Sequence, residues 1–124
     1  MQPATELDLL GCFGVEPQLH EADVDWLYNE ATYRVAVDGL AVSFIVEPAY
    51  CRISLEVHRG GQRLFAFSGR WVNMWVIDEP GVDAIEVAVD AHSWLRLQLR
   101  PTFEITQGFD PDVESVAALG KKDV

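Results

Sequence analysis

The sequence predicts a mainly β, antiparallel fold: a sandwich or curled half-barrel of about seven to eight short strands. A short C-terminal helix and an irregular or partly helical N-terminal segment flank it. Three observations carry the prediction. Between residues 32 and 107 large apolar residues recur at every second position, the period that sends successive side chains to opposite faces of a sheet. Turn signals punctuate those runs at near-regular intervals: Asp38-Gly39, Gly60-Gly61 and Glu79-Pro80-Gly81. The length, 124 residues, is that of one ordinary domain, long enough to bury a core without staples. The expected organisation is a single domain, 1–124, with an acidic segment at 1–31, an antiparallel β region at 32–107 and a helix at 110–120.

Gly11, Gly14 and Pro17 break the start of the chain into short pieces, so 7–13 reads as an edge strand or a single turn. Asp23 can cap a short helix over 24–29 that buries Val24, Leu27 and Tyr28. The strands then open. Residues 32–37 and 40–47 are joined by Asp38-Gly39, whose sequence suits a type I′ turn. Leu40, Val42, Phe44 and Val46 share one face, and Pro48 ends the strand by removing a ladder donor. In 51–58, Ile53, Leu55 and Val57 go in while Arg52, Ser54, Glu56 and His58 go out. Gly60-Gly61 turns the chain into 62–68 as a second hairpin.

Segment 70–78 is apolar on both faces, with Trp71, Asn73, Trp75 and Ile77 opposite Val72, Met74 and Val76. Such a strand is covered on both sides or meets something on its outer face. Residues 84–90 and 94–100 are one-sided again, and Phe103 and Ile105 mark a last short strand after Pro101. Asp110, Pro111, Asp112 and Glu114 make a helix start, with a narrow stripe of Val113, Val116 and Ala117 and a stop at Gly120.

The net charge is −11, and its distribution narrows the function. Seven acidic residues and no lysine or arginine lie in 1–33, whereas 34–107 is close to balanced. A chain of this charge is unsuited to nucleic acid, which needs a basic face. It suits a basic protein partner, whose encounter an acidic patch accelerates, or simply a solvated surface. No apolar run reaches the ~20 residues that span a bilayer. Residues 1–10 carry acids and no basic start, unlike a signal peptide, so a cytoplasmic location without membrane association is expected. Cys12 and Cys51 are too few for a disulfide framework and too isolated for zinc. Two buried, reduced thiols are expected, a single disulfide being the alternative in an exported chain.

Nothing in the sequence builds an enzyme or asks for a cofactor. His20, His58 and His92 lack metal-ligand spacing, and there is no nucleophile elbow or phosphate-cradling loop. Glu56 and His58 share a strand face and could pair as acid and base, but such a row is ordinarily solvated. The aromatic residues are better candidates. Trp71 and Trp75 would stand about 13 Å apart at roughly 3.3 Å per residue, a platform for sugar rings or other flat small ligands with Asn73 as polar anchor. The same face could instead be core, or be covered by a second copy in a homodimer. In the acidic segment, Trp26 and Tyr28 interleave with Asp23, Asp25 and Glu30, joining hot-spot residue types to negative charge. That is the physical recipe of an inhibitor that blocks a basic enzyme such as a nuclease toxin. Small acidic bacterial immunity proteins are similar in these general terms, by analogy of composition and without a shared motif. Alternatively, Trp26 and Tyr28 staple the segment onto the sheet.

Overall fold

The computed structural model describes residues 3–109; the helix expected at 110–120 lies outside the described residues. These residues form two antiparallel sheets, nine strands among the described residues, and one α-helix. The described residues divide into two compact units, residues 13–70 and residues 3–12 with 71–109.

The unit of residues 13–70 holds a five-stranded meander: β1 (Gln18–Leu19), β2 (Ala31–Val37), β3 (Leu40–Glu47), β4 (Arg52–Arg59) and β5 (Gln62–Arg70), in that order. Both expected hairpins form. Asp38 and Gly39 have φ of 52° and 76°, and Gly60 and Gly61 have 56° and 83°. Two consecutive positive values are what a two-residue turn needs to match the twist of its strands. The register places Tyr33 opposite Phe44, Phe44 opposite Leu55 and Leu55 opposite Phe67. One face of β3 and β4 is therefore buried along its length, as the alternation predicts. Phe13 stacks on Tyr33 and on Phe44, with ring centroids 5.0 and 5.2 Å apart. Pro48 ends β3 and opens a 3₁₀ turn, Pro48–Tyr50, closed by Cys51 in the left-handed region at φ 50°.

The helix expected over 24–29 is instead a three-residue 3₁₀ turn, Trp26–Tyr28, with Asp25 rather than Asp23 preceding it. The Asn29 side chain accounts for the departure, because it takes the Val24 carbonyl that would start the helix and ties the loop on either side of it. Its amide donates to the carbonyls of Glu21 (2.6 Å) and Val24 (2.8 Å), while its oxygen accepts from the N–H groups of Glu21 and Glu30.

The second unit contains β6 (Asn73–Val76), β7 (Asp83–Ala88), β8 (Ser93–Arg100) and β9 (Glu104–Phe109), in sheet order β6-β7-β8-β9. The strand expected over 70–78 shortens to four residues at the sheet edge, and Arg70 belongs to β5. Helix α1 (Glu6–Phe13) replaces the edge strand or single turn expected at 7–13. Its cause is a capping box: the Thr5 hydroxyl accepts from the Asp8 N–H (3.2 Å) and the Asp8 carboxylate accepts from the Thr5 N–H (2.9 Å). Leu9 and Cys12, three residues apart, are buried. Just before the helix, Ala4 donates its N–H to the Met74 carbonyl, satisfying one group on the open edge of β6.

On β9, Gly108 is required by close approach, since a Cβ there would overlap the Trp94 indole on β8. Gly108→Ala is expected to cost about 1–3 kcal/mol by forcing the ring aside. Urea unfolding and near-ultraviolet circular dichroism check this; an unchanged tryptophan signal would refute the contact.

Candidate functional site

The acidic-aromatic segment lies on the surface of the five-stranded unit, between β1 and β2. Two anchors hold it. Asn29, 5% exposed, makes the four bonds described above, and the Trp26 indole N–H donates to the Tyr33 hydroxyl at 2.9 Å. Trp26 is consequently half-buried. Glu30 is half-buried too, its carboxylate 4.0 Å from His20 Nδ1. Asp23 and Asp25 are exposed. Leu27 and Tyr28 point outward at 50% and 67% exposure. Of the five residues singled out in sequence, then, Asp23, Asp25 and Tyr28 are displayed, and Trp26 and Glu30 are partly turned in.

The structure adds a residue that sequence reasoning missed. The Pro48–Tyr50 turn lies against the Trp26–Tyr28 turn, and Tyr50 is 60% exposed. Leu27, Tyr28 and Tyr50 are thus exposed side chains carried on adjoining turns. No periodicity links two turns more than 20 residues apart, and the only local sign was a tyrosine left outside any strand.

The tryptophan platform is not presented. Asn73 and Trp75 are 5% and 4% exposed, and Trp71 is half-buried outside the strand. Trp75 packs with Ala88, Ile77 and Trp94, so its ring offers no open face to a sugar. The apolar 73–75 stretch is covered within one chain, and it supplies no reason to invoke a second copy. Asn73 accepts from the Met74 N–H at 2.9 Å, and its amide nitrogen has no partner among the described residues.

The remaining titratable groups are ordinary surface chemistry. Glu56 and His58 approach to 3.6 Å on the outward face of β4. Glu86 and Arg96 pair across β7 and β8 at 3.3 Å, and Asp83 bonds Arg100. The Asp90 carboxylate accepts from the N–H groups of His92 and Ser93, which lowers its pKa. Among the described residues no cluster of three or more His, Cys, Asp or Glu could hold a metal ion. No helix among them is long and apolar enough to cross a membrane.

The cysteines depart from expectation in one respect: both are free, but only Cys12 is buried, and Cys51 is exposed. Burial pushes the Cys12 thiol up to about 12, the Asp83 carboxylate adding to the rise and the Arg100 guanidinium opposing it. A thiol reagent at pH 8 should therefore react rapidly with one equivalent per chain, and with the second only after denaturation. Two rapid equivalents would refute the assignment. The same shift costs stability in alkali. Above the ordinary value of 9.0 the unfolded thiol ionises while the folded one stays protonated. Unfolding free energy then falls by about 1.4 kcal/mol per pH unit from this group, until the folded thiol also ionises.

No protein-family model matches this chain, and no curated protein matches it in sequence. Its fold is similar to that of a chain from a contact-dependent growth inhibition toxin–immunity protein complex of Klebsiella pneumoniae 342. The TM-score is 0.68 at 17% identity, over 85% of this chain and 93% of that one. At that identity, what the two chains share is the fold.

Proposed function

We propose that this chain is a non-catalytic binding protein of the immunity kind, which engages a basic protein partner through Asp23, Asp25, Trp26, Tyr28 and Glu30. One observation carries the reading: a segment bearing acids and no lysine or arginine holds Leu27 and Tyr28 out to solvent instead of burying them. Trp26 and Asn29 serve as its anchors. An apolar centre with a charged rim is the anatomy of a specific interface, and pinning it in advance reduces the entropy lost on binding. The fold likeness to a chain of a toxin–immunity complex supports the class of partner. The charge of −11 supports placing this chain on the side that neutralises a basic surface.

The test is growth rescue. The chain is co-expressed with a panel of toxin domains from contact-dependent growth inhibition systems, the Klebsiella one included. Rescue from at least one basic toxin domain is expected, and rescue from none would remove the immunity reading. For the rescued pair, Asp23→Lys with Asp25→Lys should slow association about tenfold and flatten its salt dependence. Unchanged association kinetics would remove this surface from the interface.

A further inference from the structure

We infer that the Pro48–Tyr50 turn is the second half of the partner-binding surface, with Tyr50 an anchor for lysine or arginine side chains of a basic protein. The inference rests on the reading of the acidic segment as an interface and extends it to an element that the sequence did not mark. The two 3₁₀ turns lie against each other, and each carries exposed side chains, Leu27 and Tyr28 on the first and Tyr50 on the second.

Charge selects the occupant. Asp23 and Asp25 immediately precede the first turn. Ala31 pairs with Val46, so Glu30 and Glu47 are neighbours at the same end of the sheet. Against these four carboxylates the adjoining strands contribute two cations, Arg52 on β4 and its register partner Arg70 on β5, so negative charge stays in excess. A second copy of this chain would bring the same carboxylates against them, and an anionic surface would be repelled. A lysine- or arginine-bearing face gains on both counts.

The ring already shows the chemistry required. The Arg52 guanidinium carbon lies 5.7 Å from the centroid of the Tyr50 ring, within the range of a cation–π contact. Tyr50 therefore accepts a guanidinium in the unbound chain. Tyr50 is 60% exposed, so a partner's cation can reach the open part of the ring or displace Arg52 from it. The placement is also backbone-controlled. Pro48 opens the turn, Cys51 closes it at φ 50°, and the Cys51 N–H donates to the Pro48 carbonyl at 3.1 Å.

The experiment titrates the full ¹⁵N-labelled chain with an octa-arginine peptide at low salt. The largest amide shifts are expected at 26–28 and 49–51. Tyr50→Ala should weaken binding roughly two- to five-fold, the range of an exposed cation–π contact, whereas Tyr50→Phe, which keeps the ring, should bind like the parent. Leu64→Ala, an exposed apolar residue on β5, should change nothing. Tyr50 is exposed, so the variants should fold, and an unchanged thermal midpoint checks this. Shifts spread evenly over acidic residues of other faces, or Tyr50→Ala titrating like the parent, would overturn the inference. Growth rescue separates this from the functional reading. Peptide binding at the two turns without rescue keeps the surface and removes the immunity role. Rescue undiminished by Tyr50→Ala keeps the role and removes Tyr50 from the interface.

Discussion

Phe44→Ala should lower the unfolding free energy by about 3–5 kcal/mol, the range for truncating a fully buried aromatic residue. Phe44 is 1% exposed, sits opposite Tyr33 on β2 and Leu55 on β4, and stacks on Phe13. Its removal would open a cavity bordered by residues that are themselves fully buried: Phe13 at 1% and Tyr33 and Leu55 at 0% exposure. None of them can shift into the gap without giving up its own contacts, which places the cost at the upper part of the range. The loss is measured by urea unfolding at constant m-value. A loss below about 1 kcal/mol would mean that the site collapses freely, and that the stacked trio is not the centre of this unit. Phe44→Leu, which keeps most of the volume, should recover much of the difference.

Asn29→Ala should cost about 2–3 kcal/mol and act locally. The substitution deletes four hydrogen bonds and leaves the carbonyls of Glu21 and Val24 without their donor. Each such bond is worth about 1 kcal/mol net, and water can reach part of this loop, so the full desolvation penalty does not apply. Hydrogen exchange should show lost protection over 21–30 with the central strands unchanged. If the proposed interface is right, binding of the rescued toxin domain should weaken as well, because Leu27 and Tyr28 would have to be ordered again in the complex. Asn29→Asp is a stricter probe. It keeps the two acceptor bonds to N–H groups but sets a carboxylate against two carbonyl oxygens, so it should not restore stability. Retained protection over 21–30 in Asn29→Ala would show that Trp26 alone holds the segment.

Both variants concern features of unequal visibility in the sequence. The Phe44 side of β3 follows from alternation alone, since a strand with one buried face must place its apolar residues at every second position. The hairpins at Asp38-Gly39 and Gly60-Gly61 are equally local: only certain residue pairs accept two successive positive φ values. The α1 capping box is also local, Thr5 followed three residues later by Asp8, but Gly11 and Gly14 lower the helix propensity of the same stretch and mask it. Asn29 was not legible. Its role depends on four backbone groups brought around one amide by a loop, and no spacing rule encodes that.

The fold class, the two glycine-containing hairpins, the buried faces of β3 and β4 and the concentration of acid before residue 34 were determined by the sequence alone. Each depends on neighbours along the chain, where sterics and side-chain alternation act directly. Tertiary structure decided which aromatic residues face solvent. Trp75 was drawn into a packed cluster and Asn73 was buried, while Leu27, Tyr28 and Tyr50 were left exposed on adjoining turns. Exposure depends on what distant segments cover, and an aromatic ring has the same composition and hydropathy whether it fills a core or awaits a partner.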